Sequence, residues 1–385
     1  MKRVSFASTI LLFSIFCILA YSQSSTDQAL LDQGILLKNQ GKFVEAFDTL
    51  SRIRIRYPDS TLLPLAEYQM GVTAFYDGRP VEAALQLQKV IAKFPDSAEA
   101  KLALNLNAIL YRLYIAPVTN KRIFAPDLSY NALIADLGEP VGLGIDSGRK
   151  VYLADRGKKV LYTFDPAGKM INSTTILSPY NISVTAKNDV LVGNDSTLYI
   201  TTSENVQFPR INPQTQARMG YLEQIRSAAT NDKGQYFVVS GKMDGVAVYD
   251  PQRNPLTKPS FGREAEYGKV LVDSRNNVLL LSRKGDSLSV FDPEGKTLFV
   301  LSKTGRELSF GKIEDFAVDE ANHIYLLTDN PRGIAIYSPQ AKLLRFIASE
   351  KNTPFFLDDS KLIAVGPAGS IYILDKGAKK IIKLG

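Results

Sequence analysis

The hexapeptide Phe164–Lys169, FDPAGK, returns almost unchanged as Phe291–Lys296, FDPEGK, 127 residues further on. Each copy lies between two short apolar runs. Pro presets φ at the first corner of a turn, and Gly accepts the positive φ that other residues resist, so each copy reads as a β-hairpin turn. Three relatives lie between and beyond these copies: INPQTQ at 211–216, YDPQRN at 249–254 and YSPQAK at 337–342, giving spacings of 47, 38, 42 and 46. A second marker agrees, because Asp155-Arg156-Gly157 and Asp375-Lys376-Gly377 lie 220 residues apart, five steps of 44. Residues 128–385 therefore hold six units.

Each unit contains four strand-like runs. In the fourth unit they are GKVLVD, VLLLS, LSVFD and TLFVLS, with turn wording between them. Four-stranded units of about 40–45 residues are the signature of a β-propeller, in which radial repetition protects the strand edges. The hexapeptide joins the third strand of a unit to the fourth. The sixth unit stops after its third strand, and NALIADLG at 131–138 has the wording of a fourth. That segment is expected to pair with 380–384 and close the ring, because closure leaves no unpaired edge at the seam. The pattern VGLGIDSGRKVYLADRGKKVLYTFDPAGK resembles the NHL and related six-bladed propeller families. Families of this shape include scaffolds, RNA binders, lyases and calcium-dependent hydrolases, so the likeness implies a fold and leaves activity open.

Ahead of the propeller the period changes. GKFVEAFDTLSRIRIRYPDS from Gly41 aligns with GRPVEAALQLQKVIAKFPDS from Gly78 at a spacing of 37. A run with helical apolar spacing precedes each, carrying Leu30, Gly34 and Leu37, then Tyr68, Gly71 and Phe75. This predicts two helical hairpins. Gly34 and Gly71 allow close helix approach, Gly41 and Gly78 make the turns, and Pro58 and Pro95 end the second helices. A fifth helix over 98–115 is apolar almost all round and is expected to be covered on both sides. The wording resembles the tetratricopeptide-repeat (TPR) family, with Ala46 and Ala83 at its small-residue position, and is similar to TPR units of bacterial envelope proteins. The period of 37 instead of 34 and Pro80 in place of an aromatic depart from that family. The expected fold class is thus all-α TPR hairpins at 23–116, a linker at 117–127, and an all-β six-bladed propeller at 128–385 closed by an N-terminal strand.

The first 22 residues have the form of a secretory signal, with Lys2 and Arg3 before an apolar stretch and Ala20-Tyr21-Ser22 as a small-x-small cleavage site. The apolar run is short for a membrane anchor and is interrupted by Ser and Thr. Phe16 before Cys17 is too bulky for lipoprotein processing. Cleavage leaves no transmembrane span and an exported chain, periplasmic or envelope-associated in a bacterium. It also removes Cys17, the only cysteine, which excludes disulfides and thiol chemistry from the mature protein. The mature chain carries 44 bases against 39 acids. The sequons at Asn172, Asn181 and Asn194 have meaning only in a eukaryotic secretory pathway.

His323 is the only histidine. Its place in the turn EANH reads as solvent-exposed and structural. His-rich zinc sites are excluded, and no P-loop, HExxH or GxSxG wording occurs. Asp146, Asp273 and Asp319 recur at the ends of first strands, and Asp155, Asp329 and Asp375 at the ends of second strands. They read as turn-capping residues, with calcium ligation as the alternative. The loops between second and third strands share one face of a propeller, and five of the six carry a base. The candidate ligand-binding residues are Arg156, Lys158, Lys242, Arg283, Lys284, Arg332, Lys376 and Lys379, with Lys159 and Lys380 beside them. Together they make a positive field suited to an anionic partner. No catalytic residue, metal or cofactor is expected. The leading reading is a non-enzymatic adaptor that binds a protein or peptide through the TPR groove and a second ligand on the propeller face. A carboxylate- and calcium-dependent propeller hydrolase or lyase, and a binder of an anionic glycan, are the alternatives. Export argues against nucleic acid.

Overall fold

The computed structural model describes residues 26–117, 119–203, 205–211, 218–262, 265–304, 307–349, 351, 357 and 359–385. The expected signal segment at 1–22 lies outside the described residues. The chain divides into two units at Ala116 and Pro117.

Among the described residues the first unit has five α-helices: α1 (26–39), α2 (Phe43–Arg56), α3 (Leu63–Tyr76), α4 (Pro80–Lys93) and α5 (Ala98–Leu110). α2 and α4 carry Glu45 and Glu82 in their first turns and Arg or Lys in their last, matching the helix dipole. Each buries an equivalent trio, Ala46, Leu50 and Ile53, then Ala83, Leu87 and Val90. A β-carbon on Gly34 would stand 2.6 Å from Leu50, and one on Gly71 2.8 Å from Leu87, so both glycines are required by the same close packing one repeat apart. Ser97 caps α5 by accepting the Ala100 N–H at 3.0 Å. α5 corrects one expectation. It buries a stripe of Ala100, Ala103, Leu106, Ile109 and Leu110, while Leu102 and Leu104 are exposed, so only one face is covered. It continues as a π-helical turn, Tyr111–Ile115.

The second unit is the six-bladed propeller. Blade 1 comprises Pro140–Ile145, Val151–Asp155, Val160–Phe164 and Met170–Thr175; blades 3, 4 and 5 repeat this over 225–261, 267–302 and 313–348. Blade 6 is Ser360–Val365, Ile371–Asp375 and Lys380–Leu384, with Ala132–Leu133 as its outer strand, Ala132 opposite Ile381. The ring is closed as expected. Residues 125–127, at the end of the expected linker, already join this seam: Pro126 bridges Leu384, and the Asp127 N–H donates to the Lys383 carbonyl at 2.8 Å. Tyr130, Ala132 and Ile134 enter the apolar cluster between blades 6 and 1.

Blade 2 departs from four strands. Among the described residues its sheet has three, Ile182–Val184, Val190–Gly193 and Leu198–Ile200, and Val206 bridges back to Leu198. Pro209–Ile211 and Arg218–Tyr221 pair separately as a two-stranded sheet. The expected turn INPQTQ at 211–216 falls, from 212 on, outside the described residues.

In blades 1, 3, 4 and 5 the hexapeptide occupies the third-to-fourth turn. Its second residue organises it, because Asp165, Asp250, Asp292 and Ser338 each accept the backbone N–H four residues on, at 2.7–3.2 Å. The first-to-second turns use the same chemistry at Asp146, Asp273 and Asp319. His323 corrects a second expectation: it is fully buried. Its Nδ1 lies 2.9 Å from Asp319 Oδ2, which also accepts the Tyr325 hydroxyl at 3.0 Å. The turn folds its histidine inward onto the aspartate that organises it.

Candidate ligand-binding site at the axial mouth

Five inner strands begin with the same irregularity. Their pairing shifts by one residue between Pro140 and Gly142, Ile225 and Ser227, Tyr267 and Lys269, Ile313 and Asp315, and Ser360 and Leu362. The residue left over in each is a β-bulge: Val141, Arg226, Gly268, Glu314 and Lys361. Bulges re-aim side chains, and here most of them line one cavity of about 300 Å³ together with Tyr180, Asn181 and Lys376. The cavity draws on blades 1, 2, 3, 4 and 6 and therefore sits on the axis. It opens on the face that carries the second-to-third loops.

Below the bulges, polar side chains tie the inner strands of blades 2 to 6 in succession. Ser183 donates to the Ala228 carbonyl, and Ser227 Oγ accepts the Val270 N–H at 3.1 Å. Lys269 Nζ meets Asp315 Oδ1 at 2.7 Å and the Phe316 carbonyl at 2.8 Å. Asp315 Oδ2 accepts the Ile363 N–H at 3.0 Å. Lys269 and Asp315 form a buried ion pair whose remaining valences are largely used on backbone groups.

The basic loop residues anticipated from sequence divide into two groups. Several carry their own carboxylate. Arg156 Nε donates to Glu139 at 3.0 Å, Arg283 to Glu266 at 2.6 Å, and Lys158 pairs with Asp136. Arg156 and Arg283 hold Glu139 and Glu266 below the usual carboxylate range. Arg332 donates to the Leu357 carbonyl at 3.1 Å. Lys242, Lys284, Lys376 and Lys379 are exposed, and of these only Lys376 lines the cavity.

The two arginine–glutamate pairs are structurally equivalent, since the Arg156 N–H donates to the Glu139 carbonyl and the Arg283 N–H to the Glu266 carbonyl. In blade 3 the same backbone bond joins Gly241 to Gln224, so the loop base and its acid are both missing. The space is taken by Arg226 from the bulge. A β-carbon on Gly241 would fall 2.6 Å from Arg226 Nε and 2.9 Å from Nη2. Burial pushes the Arg226 guanidinium pKa down, and Arg283 adds to the shift. Tyr180 stacks between cations, its ring centroid 6.0 Å from Arg226 and 5.6 Å from Arg156. Among the described residues Arg226 pairs with no carboxylate, and its buried Nε has no hydrogen-bond partner.

Sequence reading missed Arg226, Asn181, Tyr180 and Lys361 because it searched the loops. The signal available was position: one residue after the start of each inner strand, at the 42- to 47-residue spacing of Val141, Arg226, Gly268, Glu314 and Lys361, apart from the blade 2 interval. The carboxylates weighed for calcium stand at strand ends of blades 1, 4, 5 and 6, form no metal-holding cluster among the described residues, and are committed to N–H groups, as where Asp155 accepts from Gly138 and Glu139 at 2.7 and 2.8 Å. Among the described residues no helix is long and apolar enough to cross a membrane.

The first unit matches the tetratricopeptide-repeat family model over residues 28–60 and 65–97, two copies at the 37-residue spacing. No curated protein matches the chain. Among solved structures, a Bacteroides thetaiotaomicron protein of unknown function has a TM-score of 0.50 at 13% identity, covering 68% of this chain and 73% of that one. A streptogramin B lyase has a TM-score of 0.49 at 9% identity, covering 68% and 97%. A gluconolactonase from Xanthomonas campestris has 0.49 at 10%, covering 70% and 98%. At 13% identity the likeness to the Bacteroides protein is one of fold.

Proposed function

We propose that the protein is an exported adaptor of the bacterial cell envelope, holding a protein partner on its TPR unit and carrying an NHL-like propeller as a second binding platform. Repeats of this kind serve protein interaction, and the observation that supports the reading is apolar surface repeated with the helices. Val44 and Val81 occupy the same position in successive hairpins and are 64% and 56% exposed; Leu85, one turn beyond Val81, is 56% exposed. Water-facing apolar side chains at equivalent repeat positions suit the apolar side of a partner segment. A photo-crosslinking residue placed at Val44 or Leu85 of the full chain in cells should trap one discrete protein adduct, and one at exposed Lys101 should not. Absence of an adduct, or the same pattern from all three positions, would sink the reading. Export is tested separately, since the mature protein should begin near Gln23 and fractionate outside the cytoplasm.

A further inference from the structure

We infer that the axial mouth of the propeller binds the carboxylate of a small organic acid, with Arg226 as its anchor. This goes beyond the adaptor reading and does not depend on it, because it concerns the propeller alone.

The argument begins with charge accounting around the mouth. Blades 1 and 4 pair each loop arginine with a glutamate seventeen positions earlier, Glu139 with Arg156 and Glu266 with Arg283. In blade 6, Asp359 meets Lys361 at 3.0 Å. Blade 3 alone brings in a guanidinium while placing a neutral amide, Gln224, where the acid stands elsewhere. A partly buried cation with no ion-pair partner and a buried, unbonded Nε is costly, and a carboxylate from solution supplies what the chain omits. Guanidinium and carboxylate match in a planar, two-bond geometry.

The surroundings fit that ligand. Asn181 uses its Oδ1 to accept the Ile182 N–H at 2.7 Å, which leaves the amide NH2 as a donor. The Tyr180 hydroxyl donates to Asp195 at 2.9 Å, so its ring lines the cavity as an apolar and π surface. Gly268, the bulge residue after Arg226 around the ring, adds no side chain and leaves the mouth open. With one partly buried guanidinium left over, and Lys376 already hydrated at the rim, a monoanionic group is matched better than a dianionic phosphate. A cavity of about 300 Å³ lies at the small end of small-molecule sites, which points to an acid the size of a single sugar or a short diacid.

Calorimetric titration of the full chain with galacturonate, glutarate, inorganic phosphate and uncharged galactose tests this. Saturable one-to-one binding of a carboxylate probe is expected. Arg226→Met should weaken it at least about tenfold while leaving the melting temperature of the ligand-free chain unchanged or raised. Gln224→Glu should weaken it similarly by supplying an internal carboxylate, and Lys284→Glu on the outer loop should not. The inference is overturned if no carboxylate binds, if galactose or phosphate binds as tightly, or if both mouth variants keep full affinity. A lower melting temperature for ligand-free Arg226→Met also overturns it, since the guanidinium would then already have its partner within the chain.

Discussion

Lys269 shows how a residue's value depends on what it leaves behind. Its side chain and that of Asp315 are 4% and 3% exposed, and together they hold inner strands of blades 4, 5 and 6 in register through Phe316 and Ile363. Lys269→Met removes one charge and strands the other. Denaturant unfolding should show a loss of about 3–5 kcal/mol, the usual cost of leaving a buried partner uncompensated; a loss below about 1 kcal/mol would mean that water reaches Asp315. Individual side chains were the least legible scale in the sequence. His323 was read as exposed because turns face solvent, yet Asp319 and Tyr325 draw it to zero exposure. Arg226 carried no local wording at all. Its meaning comes from Gln224 and Gly241, which become its neighbours only once the bulge and the loop are folded together.

Elements were far more legible, because turns and periods are written in short windows. The hexapeptide located the third-to-fourth hairpin in four blades, and Gly34 and Gly71 marked helix contacts that the structure contains. The glycines of the two near-identical copies have a second constraint that no local rule contains. Gly168 and Gly295 both sit at φ +88°, and a β-carbon there would come within 3.0 Å of Asn131 and 2.5 Å of the Ser260 carbonyl oxygen. Each turn thus abuts the outer strand of the preceding blade. Gly168→Ala should cost about 1–2 kcal/mol from backbone strain alone, and Gly295→Ala more, in the order of those distances. Arg253 holds the equivalent turn position in blade 3 at φ 68° without glycine, so Arg253→Ala should stay within about 0.5 kcal/mol. Thermal unfolding of the three variants checks the order. Blade 2 was legible only as the most divergent unit, since Leu198–Ile200 is shorter than its counterparts and Pro209–Ile211 pairs with Arg218–Tyr221.

For the whole molecule the decisive contact is the seam. Ala132–Leu133 contributes only two residues of regular strand, and flanking bonds do the rest: Ile134 N–H to Lys379, Asp127 N–H to Lys383, and an ion pair of 2.7 Å between Lys383 Nζ and Asp127 Oδ2. A propeller chain beginning at residue 117 should fold as a monomer. One beginning at 137 would expose Lys380–Leu384 as a free edge with the Tyr372 side of its cluster uncovered, and light scattering should show it associating. The ion pair adds a pH signature. Hydrogen bonding from Lys383, with help from Ser129, pulls the Asp127 carboxyl from its ordinary 3.8 down to about 2. A depressed acid stabilises the fold fully above its unfolded pKa and loses that contribution as pH falls through the folded value. The partly exposed site limits the contribution to about 1 kcal/mol. Asp127→Asn should therefore melt lower than the parent chain at pH 6, and the gap should close between pH 4 and about pH 2 as the parent loses its ion pair. A gap that persists unchanged at the acid end would show that the Asp127 charge contributes nothing, and no gap at pH 6 would show that the seam is held by the strand bonds alone.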